Sequence, residues 1–199
     1  MELHFLGTGA GIPAKKRNVT SVAISMPEHG GRVWMFDCGE ATQHQILRSP
    51  LRLSRLDTLF VTHMHGDHIF GIPGLLASRG FQGGTSLLTI YGPSGIRSFV
   101  DSVLSLSETH LPYEVESVEV DDGMTVEDRN FTVQVAQLDH VVPSFGYRVI
   151  ERDSPGKLQV DKLKELGVPP GPLYGEIKRG HTVELPDGVT AEDASCEVD

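Results

Sequence analysis

The 199-residue sequence predicts a mixed α/β fold built in layers. Three observations point there. Strand-like segments are followed by helical ones in the first half. The stretch from 113 to 150 reads almost wholly as strand. A compact apolar run, Leu59-Phe60-Val61, has the character of a strand buried on both faces.

The elements follow in order. Residues 2–6 alternate, with Leu3 and Phe5 on one face and Glu2 and His4 on the other, as in a strand. Gly7-Thr8-Gly9-Ala10-Gly11 then makes a tight turn. Its spacing is not G-x-G-x-x-G, and Ile12-Pro13 stands where a helix should open, so a dinucleotide loop is disfavoured. Residues 19–26 and 32–36 read as paired strands joined at Glu28-His29-Gly30-Gly31. Residues 41–48 form a short helix stopped near Pro50. A helix over 69–78 starts late because of Gly71 and Pro73, and a strand follows at 87–91. Phe99, Val100, Val103 and Leu104 give helical periodicity to 96–106. Strands are expected at 113–120, 124–126, 131–135 and 145–150. Residues 153–180, rich in proline, glycine and basic side chains around two short helical stretches, read as an excursion from the core. Residues 181–189 resume a strand-turn-strand pattern around Pro186-Asp187-Gly188, and the polar residues 192–199 offer no further element.

The composition, 39% hydrophobic and 22% charged, is that of a soluble globular domain. No apolar run approaches the ~20 residues that cross a bilayer, so no membrane association is expected. The N-terminus lacks the basic and apolar regions of a secretory signal. Cys38 and Cys196 are too few for a disulfide framework, and a reducing cytoplasm fits. The net charge of -10 argues against non-specific nucleic-acid binding by the chain as a whole, though not against a local basic patch.

The chemistry concentrates in Thr62-His63-Met64-His65-Gly66-Asp67-His68. Three histidines and a carboxylate follow directly on a buried strand, the place where α/β sheets present ligands. Imidazole and carboxylate suit zinc and similar borderline metals. Alternate residues on an irregular turn can share one ion while the next two face a second, about 3.5–4 Å away. A lone loop histidine is usually just solvated, but four clustered ligand-type residues behind an apolar strand are not explained that way. His140, at the end of another strand, is a candidate third ligand for one ion. Asp37, also at a strand end, reads either as a residue orienting the metal loop or as a turn or cap aspartate. The other histidines, His4, His29, His44, His110 and His181, lack ligand spacing and read as structural. Cys38 reads as a small buried residue rather than a nucleophile.

At these residues the sequence resembles a known family. H-x-H-x-D-H, here His63 to His68, is similar to the signature of the metallo-β-lactamase superfamily. Further segments resemble its ribonuclease Z branch of tRNA 3′-processing endoribonucleases: Phe5-Leu6-Gly7-Thr8 with Gly11 and Pro13, Arg17-Asn18, Phe36-Asp37-Cys38-Gly39-Glu40 with Gln43-His44-Gln45, Phe70 to Leu75, Ile90-Tyr91-Gly92-Pro93, and Gly167 to Leu173 with its Pro-Pro-Gly-Pro core. The resemblance implies a metallo-β-lactamase αβ/βα sandwich with two zinc ions at one edge. His63, His65 and His140 would hold the first and Asp67 and His68 the second, with Asp67 also the general base. It implies a precursor tRNA substrate, a homodimer, and an arm over 153–180 that grips the tRNA body through Lys157, Lys162, Lys164, Lys178 and Arg179. It also implies a later bridging aspartate and a later histidine on the second metal. The 1–199 stretch is therefore expected to be the first half of the sandwich plus the arm, truncated at its C-terminus, with an apolar sheet face uncovered. Two alternatives stand beside this reading. One is a hydrolase of small phosphodiesters or (thio)esters on the same scaffold. The other is a non-catalytic RNA-binding or dimerisation fragment.

Overall fold

The structure is a computed structural model that describes residues 1–152, 158–165, 167–178, 183–184 and 190–191. It divides into two compact units, Met1–Ile150 and Glu151–Asp199.

In the first unit, six strands form one sheet in the order β1 (Glu2–Gly7), β2 (Ser21–Met26), β3 (Arg32–Phe36), β4 (Leu56–Phe60), β5 (Leu88–Gly92) and β6 (Val115–Glu119). β1, β2 and β3 pair antiparallel, and β3 to β6 run parallel. The parallel half needs crossovers, and the helices supply them. They are α1 (Thr42–Ile46), α2 (Gly66–Ile69), α3 (Ile72–Phe81) and α4 (Ile96–Leu106). Ile46, Ile72, Leu75, Leu76, Ile96 and Val100 from these helices share one buried cluster with Met35, Leu59, Leu88 and Ile90 of the sheet. Burying a side chain of that kind stabilises by about 1.5–3 kcal/mol.

The other face of the sheet is aromatic. Its register lines up Phe5, Val22, Phe36, Phe60 and Tyr91 across five strands. Phe60 stacks on both Phe36 and Tyr91, with ring centroids 5.1 and 5.2 Å apart. A second sheet, β7 (Thr125–Glu127), β8 (Phe131–Leu138) and β9 (Ser144–Glu151), covers this row. It contributes Phe131, Val133, Val126, Tyr147 and Val149 to the cluster around Trp34 and Phe60. The cover stops short of β1, where Leu3 and Phe5 are 62% and 68% exposed. The apolar face expected to be open is thus covered over its centre and open at its β1 edge.

The helix expected over 69–78, with a late start at Gly71 and Pro73, is α3, and a separate short helix, α2, precedes it. α2 ends at Ile69, and Gly71 precedes α3, which runs on to Phe81. Pro73 sits in the first turn of α3, where its missing N–H costs nothing. Gly71 N–H donates to the Cys38 carbonyl at 2.9 Å, and a Cβ at Gly71 would run into the Gly39 carbonyl oxygen. That close approach pins the α2–α3 corner against the loop after β3.

In the second unit, α5 (Val160–Glu165) and α6 (Pro172–Lys178) are the two short helices expected there. Leu163, Val168 and Ile177 form a small buried cluster with Leu158 and Tyr174 beside it. Short strands β10 (Val183–Glu184) and β11 (Thr190–Ala191) pair antiparallel. The turn at Pro186-Asp187-Gly188 and residues 192–199 lie outside the described residues.

Candidate metal centre

Parallel strands deliver their C-terminal ends to one edge of a sheet, and the chemistry-bearing loops leave from there. Asp37 follows β3, Thr62 to His68 follow β4, and His140 lies just beyond β8. Backbone hydrogen bonds tie these loops together. Asp37 N–H donates to Phe60 O at 2.8 Å, Cys38 N–H to His68 O at 2.7 Å, and Phe145 N–H to Thr62 O at 2.8 Å.

The structure brings His63, His65 and His140 together. One ligand nitrogen from each ring lies within 4.8 Å of the others. Ring centroids are 4.8 Å apart for His63–His65, 4.9 Å for His63–His140 and 5.6 Å for His65–His140. His63 is buried, and the other two are exposed. Three imidazoles are a fitting donor set for zinc. Zn–N bonds of about 2.0–2.1 Å place tetrahedral ligand atoms about 3.4 Å apart, so the rings need to draw in by roughly an ångström. The two exposed rings are free to do so.

His68 and Asp67 stand beside this group. The His63 and His68 ring centroids are 3.9 Å apart, and His68 Nε2 lies 3.4 Å from Asp67 Oδ2. Asp37, 3% exposed, organises the set. Its Oδ2 accepts from His68 Nδ1 at 2.7 Å, and its Oδ1 accepts from Thr62 N–H at 2.8 Å. The Thr62 hydroxyl also donates to this carboxylate, at 2.9 Å, and lies 3.0 Å from His63 Nδ1. A hydroxyl that donates to Asp37 accepts from His63 Nδ1–H. Both rings then carry their hydrogen on Nδ1 and keep a lone pair on Nε2. Asp37 itself adopts φ 59°, a left-handed conformation that aspartate tolerates better than most residues.

Electrostatics follow this geometry. Burial, reinforced by the charge of His68, lowers the His63 pKa and favours its neutral, ligating form. Burial also works against a charged His68, but the hydrogen bond to Asp37 and the negative charges of Asp37 and Asp67 together outweigh it and raise that pKa. For Asp67, burial works against the ionised form, but the Gly11 N–H, which donates to Oδ2 at 2.7 Å, its own backbone N–H and the charges of His68 and His63 together outweigh it, and the pKa falls. Burial pushes the Cys38 thiol up to about 12, so it stays protonated and is no nucleophile.

Thr62 and the Gly11 amide were not among the site residues that the sequence suggested. Thr62 stands directly before His63, but a hydroxyl carries no spacing signal. Gly11 acts through its backbone, at φ 74°, and the Gly7–Gly11 turn signalled only a bend. Of the basic arm residues, Lys162 and Lys164 are exposed on α5, where Lys164 Nζ lies 3.3 Å from Asp161. Lys157, Arg179 and the side chain of Lys178 lie outside the described residues.

Comparisons with known proteins add the lineage. Residues 1–152 match the family model described as Anti-Pycsar protein Apyc1. The chain belongs to that family. It is also similar to ribonuclease Z of Listeria monocytogenes serotype 4a, 57% identical over 188 residues, which are 94% of this chain and 61% of that protein. The chain therefore spans about three fifths of the length of such relatives. Among solved structures it resembles human tRNase Z, short form, with TM-score 0.68 and 34% identity over 77% of this chain and 66% of that one. The metallo-β-lactamase fold protein YhfI from Bacillus subtilis superposes with TM-score 0.59 at 20% identity, covering 78% of this chain and 64% of that one, a likeness of fold. The fold is that of the metallo-β-lactamases. Among the described residues, no helix is long and apolar enough to cross a membrane.

Proposed function

We propose that this chain carries the first half of the active site of a zinc-dependent phosphodiesterase, an endoribonuclease that removes the 3′ trailer from precursor tRNA in the cytoplasm and works as a homodimer. The observation that carries the reading is the convergence of His63, His65 and His140 within 4.8 Å, at the strand ends where His68 and Asp67 also lie. The similarity to ribonuclease Z over 94% of the chain supports the substrate.

His63, His65 and His140 would hold one ion, and Asp67 and His68 would contribute to a second. Bound zinc would lower the pKa of a coordinated water and polarise the scissile phosphate. Asp67 accepts the proton of the attacking water. Its Oδ2 is held by the Gly11 amide, so the carboxylate stays ionised and aimed. Asp37 keeps His68 in the tautomer that leaves Nε2 free, and Thr62 does the same for His63. Lys157, Lys162, Lys164, Lys178 and Arg179 give an acidic protein a local set of phosphate contacts.

A second reading, hydrolysis of a small phosphodiester, keeps the same centre and makes no use of the arm. The family match favours it in one respect, since it ends at residue 152, before the arm. Asp67→Ala, made in a protein that extends this chain to the length of its relatives, decides the chemistry. It is expected to abolish cleavage of precursor tRNA while RNA binding persists, and retained cleavage contradicts the assigned role. Deleting residues 153–180 separates the substrates. Loss of precursor processing with a small diester still hydrolysed supports the tRNA reading, whereas loss of neither favours the small substrate.

A further inference from the structure

A second cationic feature lies at the far end of the first sheet from the histidines. Between Glu40 and Asp57 the chain carries no carboxylate, although its net charge is -10. The same stretch holds Arg48, Arg52 and Arg55, all exposed. Arg32, Arg79, Arg97 and Arg148 each reach a protein acceptor. Among the described residues, Arg48, Arg52 and Arg55 have none. Unpaired guanidiniums are forks set for an oxyanion.

Arg52 and Arg55 also border a cavity of about 330 Å³. Its other walls include Gly30 and Gly31 of the β2–β3 turn, together with Glu2, His4 and Ser25. Glu2 also lines this wall; among the described residues it accepts from the Ser25 hydroxyl at 3.3 Å, lies 3.6 Å from His4 Nε2 and pairs with neither arginine. The two arginines therefore face the cavity without a protein counter-ion among the described residues. Arg55 enters β4 and Thr62 leaves it. Seven residues at a rise of about 3.3 Å put the cavity roughly 20 Å from the histidine cluster.

We propose that the Arg52–Arg55 cavity, with Arg48 beside it, is a phosphate-binding subsite that holds the backbone of an RNA chain at a distance from the cleavage point. This rests on the endoribonuclease reading above. It gives the first unit a gripping surface of its own. Such contacts fix register and carry no sequence information, and they make affinity salt-dependent.

The test measures the affinity of the zinc-loaded protein, extended to the length of its relatives as for Asp67→Ala, for labelled precursor tRNA across a series of salt concentrations. Arg52→Ala/Arg55→Ala is compared with Arg148→Glu, which changes the net charge by the same two units on β9. The cavity variant is expected to bind at least about tenfold more weakly at low salt, with a log–log salt slope smaller by about 1–2, while Arg148→Glu keeps the wild-type slope. Arg52→Gln/Arg55→Gln, with its melting temperature, guards against loss of fold. Equal affinity and slope in wild type and cavity variants, while the wild type binds RNA, overturns this inference alone. Uridine monophosphate that binds wild type but not the cavity variant, with RNA affinity equal in both, makes the cavity a free-nucleotide site and overturns it too. A wild-type chain without measurable RNA affinity overturns the inference together with the reading beneath it.

Discussion

Asp37→Asn isolates the device that aims His68. The substitution preserves shape, and asparagine tolerates the left-handed φ of 59° at this position, so the backbone has no reason to move. The amide oxygen can still accept the 2.8 Å bond from Thr62 N–H. Its NH2 group then replaces the oxygen that accepts from His68 Nδ1 at 2.7 Å. Two donors cannot face each other, so His68 must shift its hydrogen to Nε2, the atom 3.4 Å from Asp67. A protonated Nε2 cannot ligate. Losing a partner of this kind weakens metal binding by about 10–100-fold, or about 1.4–2.7 kcal/mol. The metal-free protein loses one charge-assisted hydrogen bond, about 1.5–3 kcal/mol. Competition with a chromogenic chelator measures the first quantity, urea unfolding the second, and ¹⁵N shifts of the His68 ring report the tautomer. Wild-type metal affinity, with the hydrogen still on Nδ1, would refute the reasoning.

Three further outcomes follow from the packing and charges. Phe60→Ala removes a fully buried ring stacked between Phe36 and Tyr91 and should cost about 3–5 kcal/mol in urea unfolding; a loss under 1 kcal/mol would mean the aromatic row is not the core. Native Cys38, with its thiol pushed up to about 12, should resist iodoacetamide at pH 8 until the chain is unfolded, as peptide mass spectrometry can show; rapid native labelling would contradict its burial. Arg32→Met leaves Asp57 and Asp128 without their shared cation, 2.6 and 2.9 Å away, and should destabilise by about 1–3 kcal/mol at neutral pH. Burial opposes an ionised Asp128, but the bond and charge of Arg32, with the backbone amides of Asn130 and Arg129, together outweigh this and lower its pKa. That stabilisation is complete above the unfolded carboxylate pKa, about 3.9, and is lost as pH falls through the folded value. The gap between wild type and Arg32→Met should accordingly narrow between pH 5 and pH 2, and a gap independent of pH would count against the assignment.

The strands were legible because their signals are local. β8 and α4 declare themselves through alternation and through the spacing of Phe99, Val100, Val103 and Leu104. Alternation also placed Leu3 and Phe5 on one face, but it says nothing about what covers that face. The second sheet reaches Trp34 and Phe60 and stops before β1. Gly71 and Pro73 marked the late start of α3, but not the contact that holds the corner: the Cys38 carbonyl accepts from Gly71 N–H, and the Gly39 carbonyl lies where a Cβ on Gly71 would be.

The same distinction separates the parts of the candidate metal centre. His63, His65, Asp67 and His68 occupy one short turn, so their residue types alone announced a cluster. His140 was legible only as a histidine at a strand end, because its proximity to His63 depends on how the second sheet packs on the first. Thr62 and Gly11 fall further from view. One contributes a hydroxyl and the other a backbone amide, and neither is distinguishable in sequence from an ordinary turn residue. Yet they decide which nitrogen of His63 is free and where Asp67 points. Residue type identifies the groups that could bind a cation. Whether each presents a lone pair to it is set by hydrogen bonds from residues that themselves bind nothing, and Asp37→Asn is aimed at that step.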